Sequence, residues 1–291
     1  MMDQQQTSKK RNKFLEVMTR LLRNKTATAG LIVILIIAAL AFSAPLICDY
    51  DEMAIQQHPE LRLQPPSSEH LLGTDHLGRD IFARLLYGAR TSLSVGLIVV
   101  LISASLGGFI GSLSAVMGGR IDNIIMRIVD IFTCIPAMLL TLAMVSALGH
   151  GISNLVIAMC INYTFGFIRV VRSAVLSVVS QDFVEAARSY GTRMVTMIFK
   201  HIMPNAMGII IVQATMSVAG VILGIAGLSF LGMGIEAPAP EWGAMLNEGR
   251  AYMRTFPYLI MFPGIAIVVS ALSLNLVGDG LRDALDPKLR D

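Results

Sequence analysis

Residues 131–168 read IFTCIPAMLLTLAMVSALGHGISNLVIAMCINYTFGFI, without a single Asp, Glu, Lys or Arg. A bilayer core about 30 Å thick takes roughly 20 mostly apolar residues to cross. This run is too long for one crossing, and Gly149-His150-Gly151 interrupts it near the middle. It therefore reads as two spans joined by a turn. Pro136 is expected to kink the first of them, because proline removes one backbone hydrogen bond. The same test applied outward finds charge-free runs at 26–48, 91–119, 202–235 and 255–278. The expected fold is an all-α membrane protein with six transmembrane helices, near 27–47, 92–117, 124–148, 152–171, 207–234 and 257–277.

Composition agrees. The chain is 54% hydrophobic and 15% charged, whereas soluble domains run near 45–50% apolar and about 25% charged. Cys48, Cys134 and Cys160 lack paired spacing and read as small apolar packing residues, not as a disulfide framework or a metal site. The net charge of +3 is small, and its distribution argues for membrane orientation, not for a nucleic-acid partner. Every lysine (Lys9, Lys10, Lys13, Lys25, Lys200 and Lys288) falls on one side if the N-terminus is cytoplasmic. The positive-inside rule then places both termini in the cytoplasm. By that assignment residues 1–26 and 279–291 and the loop 173–206 are cytoplasmic, and 48–90 and 235–256 are external. The N-terminal apolar run is longer than a signal-peptide core of about 7–15 residues and reads as a retained anchor. Small residues let helices approach in lipid. Gly107, Gly111 and Ala115 form such a stripe, and Gly220 with Gly224 form another.

The loop between the fourth and fifth spans contains Ser180-Gln-Asp-Phe-Val-Glu-Ala-Ala-Arg-Ser-Tyr-Gly191, then Thr192 through His201-Ile-Met-Pro204-Asn. It reads as two short helices joined at a glycine. Ser180 is expected to cap the first, Asp182 to sit favourably in its first turn, and Gly191 to make a left-handed C-terminal turn. Thr192 is expected to cap the second, and Pro204 to separate it from span five. A rigid projecting hairpin suits a partner's groove, although the residues alone leave an ordinary basic connection equally open.

The letters of this loop resemble the "EAA" loop of ATP-binding-cassette importer permeases, carried by Glu185, Ala186, Ala187, Gly191 and Pro204; His201 and Met203 depart from the family pattern. Three further stretches resemble the dipeptide/oligopeptide/nickel permease family. They are His70-Leu-Leu-Gly-Thr-Asp-His-Leu-Gly-Arg-Asp80, Leu228-Ser-Phe-Leu-Gly-Met-Gly234 with Pro240-Glu-Trp-Gly-Ala-Met-Leu246, and Asn275-Leu-Val-Gly-Asp-Gly-Leu-Arg-Asp-Ala-Leu-Asp-Pro-Lys-Leu-Arg290. The chain is most similar to the "C" type of permease. The resemblance implies a type I importer core, residues 91–278, preceded by one extra helix. It also implies a bacterial inner-membrane location, a second permease, two ATPase subunits that bind ATP and Mg, and an extracytoplasmic substrate-binding protein. Peptides are the implied cargo, with nickel or another small chelate as the alternative. Glu185 would contact the ATPase, and Gly191 would set the hairpin angle.

Catalysis within the chain is not expected: no G-x-x-x-x-G-K-[ST] phosphate loop occurs. No carboxylate lies mid-span, which counts against an ion-coupled secondary carrier. A membrane-anchored sensor or scaffold would call for a sizeable soluble domain. Arg127 and Asp130 are expected to pair at i,i+3. Asn162 and Gln213 either line the pathway or hydrogen-bond between helices. Trp242 suits a membrane-interface position. His58, His70, His76 and His150 lack ligand spacing.

Overall fold

The computed structural model describes residues 13–285; the N-terminal tip and the last residues of the C-terminal motif, Asp286 to Arg290, lie outside them. Among the described residues, five helices are long and apolar enough to cross a membrane. These are α2 (Lys25–Ile47), α3 (Ile81–Met117), α6 (Ile152–Val179), α9 (Met203–Phe230, extended back to Met194) and α11 (Tyr258–Leu285). The sixth crossing is a broken one. Helices α4 (Gly119–Thr133) and α5 (Ala137–Leu148) meet at 85°. Pro136 thus does more than kink the span: it bars the helical conformation to Ile135 before it and starts a new helix in a new direction.

Helix α3 also runs further than the charge pattern implied. Asp80 caps it by accepting from the Ala83 amide at 2.9 Å, so residues 81–90 are the first turns of the span. The amphipathic α1 (Lys13–Arg23) buries Leu21 against Ala27 and Ala284. The extra helix α2 packs along α11. Gly30 makes this approach possible, since a Cβ there would lie 2.8 Å from the Ser273 carbonyl oxygen.

The centre of the bundle is the crossing of α3 on α6, and the glycine stripe is its cause. A Cβ on Gly111 would sit 2.6 Å from the Ile168 carbonyl oxygen, and one on Gly107 would overlap Phe167. Gly220 and Gly224 face only the side-chain ends of Tyr163 and Met159 of α6, 3.0 Å from where a Cβ would lie. Gly111→Leu is therefore expected to force the two helices apart and cost about 1–3 kcal/mol or more. Gly108→Ala, with open space at its Cβ position, should unfold at the wild-type temperature or slightly above. Thermal unfolding of the detergent-solubilised chain decides between them.

Candidate functional site

The hairpin stands at the end of the bundle where α6 finishes. Helix α7 (Asp182–Ser189) places Asp182 and Glu185 in its first turn, where the helix dipole favours acids. Ser180 does not cap it: Ser180 terminates α6, and Gln181 precedes α7 without a side-chain cap. Gly191 does take the left-handed conformation, with φ of +71°. The Gly191 amide donates to the Arg188 carbonyl at 3.0 Å and the Thr192 amide to that of Ala187 at 3.2 Å. These two bonds are a Schellman motif, which locks the exit direction of the chain.

The second helix differs from expectation. Thr192 caps nothing; Arg193 precedes the short α8 (Met194–Thr196). A widened turn, Met197–Ile202, then leads directly into α9. Pro204 does not separate them: it falls in the first turn of α9, directly after the widened turn that accommodates its missing N–H. The hairpin is therefore one free helix folded onto the projecting base of a spanning helix. Val184 buries against Val178, Met197 and Ile202, and Ala187 is buried as well. Glu185 and Ala186 face outward, and Phe183, Tyr190, Val195 and Phe199 are exposed around them. Met203 seats the base on α3 by accepting from the Ser112 hydroxyl.

Asn162 and Gln213 do not share a site. Asn162 spends its amide across the break, donating to the Ala137 carbonyl at 3.2 Å and to Thr141 Oγ1 at 3.1 Å, so it braces α6 to α5. Gln213 lines a groove of about 550 Å³ between α6, α9 and α11, with Ser177, Gln181, Asn205 and Arg282. Asp130 pairs with Arg169 of α6 at 2.9 Å, not with Arg127; a guanidinium on the adjacent helix supersedes the partner that helical spacing alone offered. Nearby, Arg172 holds Asp122 at 2.6 Å, and the Ser114 hydroxyl donates to the same carboxylate.

At the opposite end lies a cluster that sequence reasoning missed. Gly73 and Gly78, at φ of +83° and +80°, fold residues 70–80 into a tight loop. Asp75 accepts from the amides of Leu77 and Arg79 at 2.8 and 3.0 Å. It also takes Arg79 Nε at 2.7 Å and Arg84 Nη1. Both guanidiniums reach on to Glu248 of α10 (Trp242–Gly249), Arg79 at 2.7 Å and Arg84 at 2.6 Å. The two arginines are 1% exposed. Burial pushes the Asp75 carboxyl up, but the Arg84 and Arg79 guanidiniums and the two amides prevail and hold it below the ordinary carboxylate range. His76 joins Asp75 and Glu248 with donor atoms within 4.8 Å, yet both carboxylates are already committed to arginines.

Trp242 belongs to the same knot and is no interface anchor. It is 1% exposed and packs over Gly88, and its indole N–H donates to the Leu85 carbonyl at 3.1 Å. Glu241 caps α10, accepting from the amides of Gly243 and Ala244 at 2.8 Å each, and takes the Ser92 hydroxyl of α3. The 70–80 and 240–246 motifs are thus one packed unit. Cys134, at the α4–α5 break, is exposed and not part of the packing; Cys48 and Cys160 are buried as expected.

With this geometry in hand, residues 107–291 match the family described as binding-protein-dependent transport system inner membrane component. The chain belongs to that family. Residues 13–66 also match the N-terminal TM domain of oligopeptide transport permease C, which accounts for α1 and α2. The chain is 43% identical to a dipeptide transport system permease of Alkalihalophilus pseudofirmus over 94% of its own length and 90% of the relative's. It is 42% identical to a glutathione transport system permease of Pectobacterium atrosepticum, over 96% and 93%. With the oligopeptide transport system permease of Bacillus subtilis it shares 40% identity, over 94% and 90%. In fold it is similar to a chain of the inward-facing MetNI methionine ABC transporter, with a TM-score of 0.59 at 19% identity, covering 71% of this chain and 98% of that one. It is a multi-pass membrane protein of this inner-membrane transport family.

Proposed function

We propose that the chain is the transmembrane permease subunit of an ATP-driven importer of di- and oligopeptides. It pairs with a second permease, receives cargo from an extracytoplasmic binding protein, and is driven by two ATPase subunits that bind ATP and Mg and carry out the hydrolysis. The observation that carries the reading is the hairpin. A locked Schellman turn presents exposed Phe183, Ala186 and Tyr190 beside the exposed Glu185 and Arg188, and exposed apolar groups rimmed by charged ones mark partner sites. The ATPase cleft receives this face, so closure of the ATPase pair moves α7 and the base of α9 together. With both termini cytoplasmic, the ion knot is external, on the side of the binding protein. Gln213 contributes to the pathway from its polar groove, whereas Asn162 acts in packing. Peptide cargo is supported by the dipeptide, oligopeptide and glutathione relatives over the nickel alternative.

Two measurements test the proposal. An ATPase should co-purify with the detergent-solubilised full chain, and a strain lacking the chain should lose uptake of labelled dipeptides but not of nickel chelates. Purification without an ATPase, or loss of nickel uptake alone, would overturn it.

A further inference from the structure

A groove of about 580 Å³ opens where α2 ends and α3 begins, lined among others by Pro45, Tyr50, Arg90, Ser94, Ile98 and Ile152. Its polarity changes from one end to the other. Arg90 stands at the polar end, exposed, and among the described residues no carboxylate forms an ion pair with it, unlike Arg79 and Arg84 earlier in the chain. Thr91 lies beside it; its hydroxyl donates to the Tyr87 carbonyl at 3.1 Å, which leaves the oxygen free to accept. The Tyr50 and Tyr87 rings meet edge to face at 4.8 Å, and the Tyr87 hydroxyl is fixed on the Cys48 carbonyl at 2.8 Å, so this wall is rigid. From Arg90 onward α3 carries no charge up to its end, and the surface beyond the groove is apolar, with Leu46 89% and Leu101 57% exposed.

We infer that this groove binds one phospholipid, its phosphate on Arg90 and an acyl chain along Ile98 and Ile152. The Arg90 guanidinium, at the level where α3 loses its charges, can hold a phosphate by paired N–H donors. The Ser94 hydroxyl can donate to an ester carbonyl below, and the Thr91 oxygen can accept from a headgroup hydroxyl. Free phosphate is the poorer occupant, because the floor of the groove offers only apolar side chains.

The test uses the full chain purified in detergent, with native mass spectrometry against added dioleoylphosphatidylglycerol. One lipid should be retained per chain, and Arg90→Ala should weaken that adduct about fivefold, the scale of one basic residue at an anionic surface. Arg90→Lys should largely restore it, and inorganic phosphate at millimolar concentration should not compete. Ile98→Asp, at the exposed floor, should also lose the lipid. Equal lipid retention by wild type and Arg90→Ala overturns the inference, as does competition by free phosphate. It fails equally if Arg90→Ala keeps the lipid but loses a co-purifying second permease, since the groove would then be a protein contact.

Discussion

Gly191→Val should abolish peptide uptake while leaving the chain in the membrane at wild-type abundance. No atom lies within 4 Å of the position a Cβ would take at Gly191, so the valine meets no collision. Its cost is in the backbone: φ of +71° costs an L-residue about 1–2 kcal/mol, most for a β-branched one. The turn relaxes instead, the Schellman bonds to Ala187 and Arg188 are lost, and α7 points elsewhere. Gly191→Asn, which tolerates the left-handed region, should keep most of the transport. Glu185→Lys probes the same face by charge. Glu185 is exposed, and reversing a first-turn acid costs the helix only about 0.3–1 kcal/mol, so a full loss of transport would report a partner contact and not unfolding. Uptake, nucleotide hydrolysis by the co-purified complex and membrane abundance are the three readouts. Normal coupling of hydrolysis to uptake in both Gly191→Val and Glu185→Lys would sink the hairpin's role.

Arg84→Met should produce the largest loss of stability of any single change at the other end. Removing one member of a buried ion network leaves an uncompensated charge and costs about 3–5 kcal/mol. Here Asp75 and Glu248 would share Arg79 alone. Arg84 Nε has no hydrogen-bond partner of its own, which offsets a little of that loss. The double variant Arg84→Met with Glu248→Met restores charge balance around Asp75 and Arg79 and should recover at least half of the lost stability. Thermal unfolding of the four members of the cycle measures this. A single-variant loss near that of an exposed pair, about 0–1 kcal/mol, would mean the knot does not hold α10 to residues 70–84.

The crossings were legible because a charge-free run has to match a fixed bilayer thickness, and the starts of α2, α6 and α11 fall within a few residues of expectation. Gly191 was legible because only a residue without a side chain favours the turn that ends α7. Ser180 and Thr192 misled because a hydroxyl near a helix start is only an option to cap; the actual boundary fell one residue later in both cases. Pro204 misled because proline stops a helix from inside but is welcome at its first turn.

Sequence by itself thus determined what depends on local rules: how many times the chain crosses, where it turns, which glycines must face a neighbouring helix, and which family's motifs it carries. The tertiary structure alone decided which distant groups meet. Asp130 chose Arg169 over Arg127, Trp242 went into the core, Asn162 turned to α5 while Gln213 kept an open groove, and Asp75, Arg79, Arg84 and Glu248 closed into one knot. The reason is physical. Helical propensity, capping and span length act between residues a few positions apart. Ion pairing and burial act through space, and bringing α10 onto the start of α3 depends on every helix packed between them.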